Sequence, residues 1–267
     1  MTDISYFYSN IPKNKRDPKL YERNSFKDKI MKGINLRIFS FLLFSTTGSA
    51  FVPTKQSFIR TTSLNMSIKS EETALVLIEY QNEFTTEGGK LHDAVKDVMQ
   101  STNMLSNSKT FMDAAREKGC LILHCPIAFD KGHKEISNDP YGILAGVKEG
   151  EAFTSNEWGS EICGVMAPAE GDMVIKGKGG LCGFKSTNLD FLLRQNRIKN
   201  VILGGFLTNC CVESTMRTAY ENGYKVYTLT DCCAATSQEA QDAAIEHNFG
   251  MFSIPSKSTE LIDTIGA

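Results

Sequence analysis

"NVILGGFLTNCCVEST" occupies residues 200–215, and its reading decides the fold. The first seven residues, "NVILGGF" (200–206), form an apolar run of strand length that shows no alternation of polar and apolar positions. Such a run is buried on both faces, which is the habit of strands in a parallel sheet. A short turn follows, and from Cys211 to Asn222 the pattern predicts a helix. Strand, turn and helix in that order make a βα unit. In open sheets built from such units, ligands sit beyond the carboxyl ends of the strands.

Working outward, the same alternation recurs. "ALVLIEY" (74–80), "CLILHCPIAF" (120–129), "DMVIKGK" (172–178) and "YKVYTLTD" (224–231) are further strand-length runs rich in β-branched residues. Residues 94–118 hold one long helix or two shorter ones; "STNLDFLLRQN" (186–196) and residues 237–247 supply two more. "TSQEA" (236–240) lacks a full capping box, so a softer helix start is expected there. The expectation is one α/β domain over residues 71–267, a doubly wound parallel sheet in three layers.

Reactive groups cluster at the expected strand ends. Glu79 is the only acid in "LVLIEYQ", where an unpaired buried carboxylate is costly. The competing reading is a solvated first loop residue. Lys176 and Lys178 follow the third strand in "VIKGKGG"; a lysine there can pair with Glu79, and surface charge is the alternative. Cys210 and Cys211 open the helix after the fourth, where positive potential favours a thiolate. A thiol, a carboxylate and a lysine form a nucleophile, base and orienter set. The remaining six cysteines read as core residues.

The order acid, lysine, cysteine in "LIEYQNEF", "VIKGKGGLCGF" and "GGFLTNCCVESTMRTAY" resembles the isochorismatase-like cysteine hydrolase family over nearly all of residues 73–255. That resemblance implies a doubly wound parallel sheet, a dimer or tetramer, and hydrolysis of a C–N bond in a small amide or ureido compound. It assigns the nucleophile to Cys211, which precedes Val212, and leaves Cys210 as a small buried neighbour on the approach turn. The spacing to Phe184 points to Lys178 rather than Lys176. It also implies a non-proline cis peptide at Phe206–Leu207, with the Leu207 and Cys211 N–H groups forming an oxyanion hole. Most relatives have Asp where Glu79 stands, and Glu83 shows the same replacement. Phe84, Trp158 and Phe184 are candidate substrate-binding residues. Phe129 and Phe206 are further candidates for the pocket wall, with core packing an equal explanation for these aromatics.

Composition narrows the alternatives. The chain has 267 residues, 41% hydrophobic and 22% charged, with a net charge of -2, and shows no basic stripe beyond residue 70. That excludes an electrostatic footprint for nucleic acid. The partner expected is a small-molecule substrate, with no membrane contact by the mature domain. Asp130 and His133 in "FDKGHKEISNDPYG" (129–142) do not give a metal-ligand spacing, so no metal and no other cofactor is expected. No G-x-G-x-x-G follows the first strand, which argues against a dinucleotide enzyme. A binding protein with weakened catalysis and a thiol redox sensor are the competing functions.

Residues 1–70 read as a presequence. Lys32 and Arg37 precede a short apolar run, then small residues up to Ala50, and no Asp or Glu occurs from Lys32 to Ser70. This is a signal-like segment followed by transit-like composition. The join "GSAFVP" (48–53) resembles bipartite plastid presequences of algae with secondary plastids. A plastid is the expected location, with cytoplasm the alternative.

Overall fold

The computed structural model describes residues 68–266, so the presequence reading lies outside the described residues. Ile68, three residues ahead of the expected boundary at 71, is already buried. Ile68 bridges Ile265, its N–H donating to the Thr264 carbonyl at 2.8 Å.

The strands are β1 (Thr73–Ile78), β2 (Leu121–Cys125), β3 (Met173–Val174), β4 (Asn200–Phe206), β5 (Lys225–Ala234) and β6 (Ile254–Ser256). They form one parallel sheet in the order β3-β2-β1-β4-β5-β6. The chain winds from β1 outward to β3, then restarts beside β1 with β4 and winds the other way. The crevice between the carboxyl ends of β1 and β4 is the switch point, where such sheets bind ligands.

Helices cover both faces: α1 (Asn82–Thr85), α2 (His92–Ser101), α3 (Met104–Glu117), α4 (Ile143–Glu149), α5 (Leu189–Gln195), α6 (Glu213–Glu221), α7 (Gln238–Ala243), α8 (Gly250–Phe252) and α9 (Ser258–Ile262). Alternation along β1 divides its side chains between two cores. Leu75 and Leu77 join Met104, Phe111 and Met112 of α3 on one face; Ala74, Val76 and Ile78 join Leu189, Leu193 and Met216 on the other. Every β1 residue is buried, which explains the unbroken apolar run. Residues 94–118 resolve into two helices. Ser237 caps α7 with its hydroxyl accepting from the Ala240 N–H at 3.2 Å, without the reciprocal half of a capping box.

Three strands differ from expectation. β3 is two residues long because the chain leaves the sheet edge at Ile175. β6 was unread, since three residues carry too little pattern. β5 runs on to Ala234 through an irregular register, Leu203 opposite Thr228 but Gly205 opposite Cys233. On its other side Gly205 lets β4 run close against β1: its φ is 133°, and a Cβ would lie 2.0 Å from the Ile78 carbonyl oxygen. Among the described residues no helix is long and apolar enough to cross a membrane.

Candidate active site

Glu79 is the first residue beyond β1, at the switch point. Its backbone is left-handed, with φ 58°, a conformation that costs a non-glycine residue about 1–3 kcal/mol and tends to occur at functional sites. The Glu79 N–H donates to the Cys125 carbonyl at 3.2 Å, so the turn is tied to β2. The side chain is buried, which rules out the solvated-loop reading.

Lys178 arrives from the edge of the sheet. After β3, the Ile175 N–H donates to the His124 carbonyl at 2.7 Å, and the Lys178 carbonyl accepts from the Ala128 N–H at 3.2 Å. The loop is thus laid along the segment that follows β2, back toward β1. Gly177, with φ 86°, turns the chain where a Cβ would lie 2.5 Å from the Ser186 carbonyl oxygen. Lys176 is exposed; Lys178 is buried. The Lys178 ammonium donates to Glu79 Oε1 and, at 2.7 Å, to the Gly180 carbonyl.

Cys211 lies in a wide π-type turn, Thr208–Val212, ahead of α6, where an ordinary helix start was expected. The peptide bond Phe206–Leu207 is cis. The Leu207 carbonyl accepts from the Cys210 N–H at 3.0 Å and the Val212 N–H at 3.2 Å. Thr215 links two parts of the site. Its hydroxyl donates to the Cys211 carbonyl at 2.7 Å and accepts from the Gly183 N–H, in the lysine loop, at 2.8 Å.

The charges act on one another. Burial opposes the charge on Lys178, but Glu79 and the thiols of Cys211 and Cys125 outweigh it and hold its pKa above the ordinary lysine value. Its sign is therefore positive throughout the neutral range. The Cys211 thiol is pushed well above its ordinary value by the thiol of Cys210, by burial and by the Glu79 charge, with Lys178 opposing. Cys210 shifts the other way: its interaction with Cys211 lowers it against the cost of burial. At Cys211 the helix-end potential and Lys178 favour the thiolate, while the Cys210 thiol, burial and the Glu79 charge act against it.

The structure brings Glu79, Lys178 and Cys211 into one electrostatic cluster, with Leu207 buried at the head of the cysteine turn. The three aromatic candidates have different surroundings. Phe84 is a core residue, stacked on Phe206 at 4.9 Å and tilted against Phe153 at 5.3 Å. Phe184 packs against Tyr224 at 6.0 Å in the opposite core. Trp158 is 48% exposed, and its carbonyl accepts from Asn82 Nδ2 at 2.9 Å.

Several supports escaped the sequence reading. The Gln81 amide donates to the Ile127 and Ser160 carbonyls, both at 2.7 Å, and its oxygen accepts from the Ile127 N–H at 2.9 Å. It fastens the loop after β2 to the start of α1. Thr208 donates to Gln241 Oε1 at 2.6 Å, which fixes the cysteine turn to α7. Cys125, buried behind the ion pair, has its thiol pushed up to about 12 by burial. A lone polar residue in an apolar or mixed segment gives no signal of which distant carbonyl it meets. Glu83 is buried and accepts from the backbone N–H groups of Lys90, at 2.7 Å, and Phe153, at 3.2 Å, which is a structural task. His133 is also buried, donating from Nε2 to the Ala152 carbonyl at 2.7 Å, while Asp130 is exposed. Among the described residues no group of three or more His, Cys, Asp and Glu is arranged to hold a metal.

The chain matches the isochorismatase domain model over residues 73–260. It is 30% identical over 177 residues to the ureidoacrylate amidohydrolase RutB of Rhizobium rhizogenes, covering 62% of this chain and 72% of that protein. To the protein of the same name in Pantoea ananatis it is 29% identical over 208 residues, covering 73% and 83%. Among solved structures it superposes on a cysteine hydrolase from Pseudomonas syringae pv. phaseolicola with a TM-score of 0.65, at 21% identity, over 74% of this chain and 94% of that one. The N-carbamoylsarcosine amidase of Thermoplasma acidophilum gives 0.55 at 25% identity, over 70% and 96%. Sheet order, strand-end residues and the extent of the match agree: the chain belongs to the isochorismatase family.

Proposed function

We propose that the protein is a cysteine hydrolase that cleaves the C–N bond of a small amide, ureido or carbamoyl compound, with Cys211 as nucleophile, Glu79 as base and Lys178 as the residue that holds Glu79. The observation that carries this reading is the buried Glu79–Lys178 pair with the Cys211 thiol inside its field. Desolvating two charges is expensive, and a purely structural pair offers little net stability in return. The similarity to ureidoacrylate amidohydrolases and to a carbamoylsarcosine amidase supports the substrate class.

Burial and the Glu79 charge disfavour a free thiolate at Cys211, so the attack calls for a base beside it. The carboxylate takes the thiol proton as sulfur attacks the carbonyl carbon, which spares the site a free thiolate beside a carboxylate. Negative charge then moves to the substrate oxygen, which the Leu207 and Cys211 N–H groups receive. Glu79, now protonated, gives its proton to the leaving nitrogen, and ammonia or an amine departs. Water deprotonated by Glu79 attacks the acyl or carbamoyl thioester and restores Cys211. Lys178 keeps the carboxylate oriented throughout. No cofactor enters the scheme.

The experiment is ammonia release from a panel of small amides and ureido acids, with Cys211→Ala alongside. The variant is expected to fold and to release nothing. Release at the wild-type rate would remove Cys211 from the reaction. By the family resemblance the protein works as a homodimer or tetramer, which light scattering checks. The presequence reading assigns the mature domain to a plastid, and import of a fluorescent fusion to residues 1–70 tests it.

A further inference from the structure

Six of the eight cysteines have an assigned place: Cys120, Cys125, Cys163, Cys182, Cys232 and Cys233 are buried. Cys211 serves the site. Cys210 is the exception, partly exposed and with no task in the proposed reaction. It packs against the edges of both cores, which places its sulfur at the crevice where the two faces of the sheet meet. Its backbone is fixed by the Leu207 carbonyl at 3.0 Å, and that of Cys211 by Thr215 at 2.7 Å. In this wide turn the two thiols are hydrogen-bond partners of one another, so the adjacent sulfurs lie side by side.

We infer that Cys210 and Cys211 together form a dithiol site at the active-site crevice for a trivalent arsenical of the class R–As=O. Both thiols add to the arsenic: two As–S bonds form, the As=O bond breaks, and the oxygen leaves as water with the two thiol protons. Arsenic stays trivalent and no electrons are transferred. The one-atom bridge suits this pair where a disulfide does not. Adjacent Cα atoms lie about 3.8 Å apart, short of the roughly 4.4–6.8 Å of ordinary disulfides, and an S–S bond would have to close to about 2 Å. A bridging arsenic leaves the sulfurs further apart. The positive charge of Lys178 acts on both thiols and favours their ionised forms during addition. Nothing in this chemistry depends on the hydrolytic reaction, so its test reads mass rather than turnover.

The full-length chain is treated with one equivalent of phenylarsine oxide, and intact mass and peptide mapping follow. The expected product is one adduct per chain, arsenoxide less one water, on the peptide holding residues 210 and 211. It should survive a monothiol and be removed by 2,3-dimercaptopropanol. In Cys210→Ala, and in Cys210→Ser as a second replacement, only one As–S bond can form, so a monothiol should strip the arsenic at least tenfold faster. No adduct on the native chain, an adduct mapped to Cys125 and Cys182, or equal monothiol resistance in both variants would overturn the proposal. Loss of hydrolysis in these variants bears on the reaction alone.

Discussion

The chain holds two vicinal cysteine pairs, and their difference lies in the backbone that carries them. Cys232 and Cys233 sit inside β5, where successive side chains point to opposite faces. Cys232 lies in the core that contains α3, and Cys233 in the core that contains α5. Burial pushes the Cys233 thiol up to about 12 and raises that of Cys232 as well. Cys210 and Cys211 occupy a wide turn beyond β4, where both side chains stay near the Glu79–Lys178 pair and act on one another. Identical dipeptides thus become core packing in one place and chemistry in the other. The lesson is that a reactive cysteine is made by its strand end and its neighbours.

The sharpest way to break that comparison is to delete each sulfur in turn. Cys211→Ala should lower kcat by roughly 10⁴-fold or more. Cys233→Ala should leave kcat within about twofold and cost about 1 kcal/mol of stability, as an ordinary core truncation does. Steady-state kinetics and urea titration of both proteins decide the matter, and comparable kcat losses would end the distinction.

Next in size are the partners that only the first pair has. Glu79→Gln removes the base and should lower kcat by about 10²–10⁴-fold. Lys178→Met leaves Glu79 buried and unpaired, at a cost of about 3–5 kcal/mol. A Lys178→Met protein of unchanged urea midpoint would show the pair to be no more than a surface contact. Glu79→Asp keeps the carboxylate on a shorter arm. It should be less damaging than Glu79→Gln, since the carboxylate survives, and a larger loss would mean that reach alone governs the base.

A subtler test uses alkylation. Cys210 is the more exposed sulfur and its thiol is shifted down, whereas Cys211 is shifted up. Limiting iodoacetamide at neutral pH should label Cys210 several-fold faster than Cys211, and Cys232 and Cys233 hardly at all. Mass mapping reads the order directly, and prior labelling of Cys233 would contradict its burial.

The smallest effect is on stability at alkaline pH. Burial raises Cys125 and Cys233 from the ordinary 9.0 to about 12. The folded chain therefore keeps protons that the unfolded chain releases above pH 9. Stability from these groups is complete below pH 9 and falls as pH rises toward 12, by about 1 kcal/mol per thiol for each pH unit. The urea midpoint should drop between pH 8 and pH 10, and Cys233→Ala should show a shallower slope. A midpoint that rises would reverse the sign of the argument.

The sequence alone determined the parallel sheet, because runs such as "VILGGF" are apolar at every position and only two-sided burial accounts for that. It located Glu79, the cysteine turn and β4, where local pattern and strand end coincide. The resemblance selected Lys178 over Lys176 and Cys211 over Cys210, and it anticipated the cis bond. Tertiary structure decided the rest. β3 shrank to two residues because an edge strand has only one neighbour to hold it. β5 runs on to Ala234 through a register shift against β4 between Leu203 and Gly205, and such pairing between distant strands leaves no local pattern. Gln81, Thr215 and Gln241 became supports of the site through hydrogen bonds to partners far along the chain, Ile127 at 46 residues, Gly183 at 32 and Thr208 at 33, separations no local pattern encodes. The upward push on the Cys211 thiol was likewise beyond the sequence, since it follows from burial and from groups that meet only when the strand ends converge.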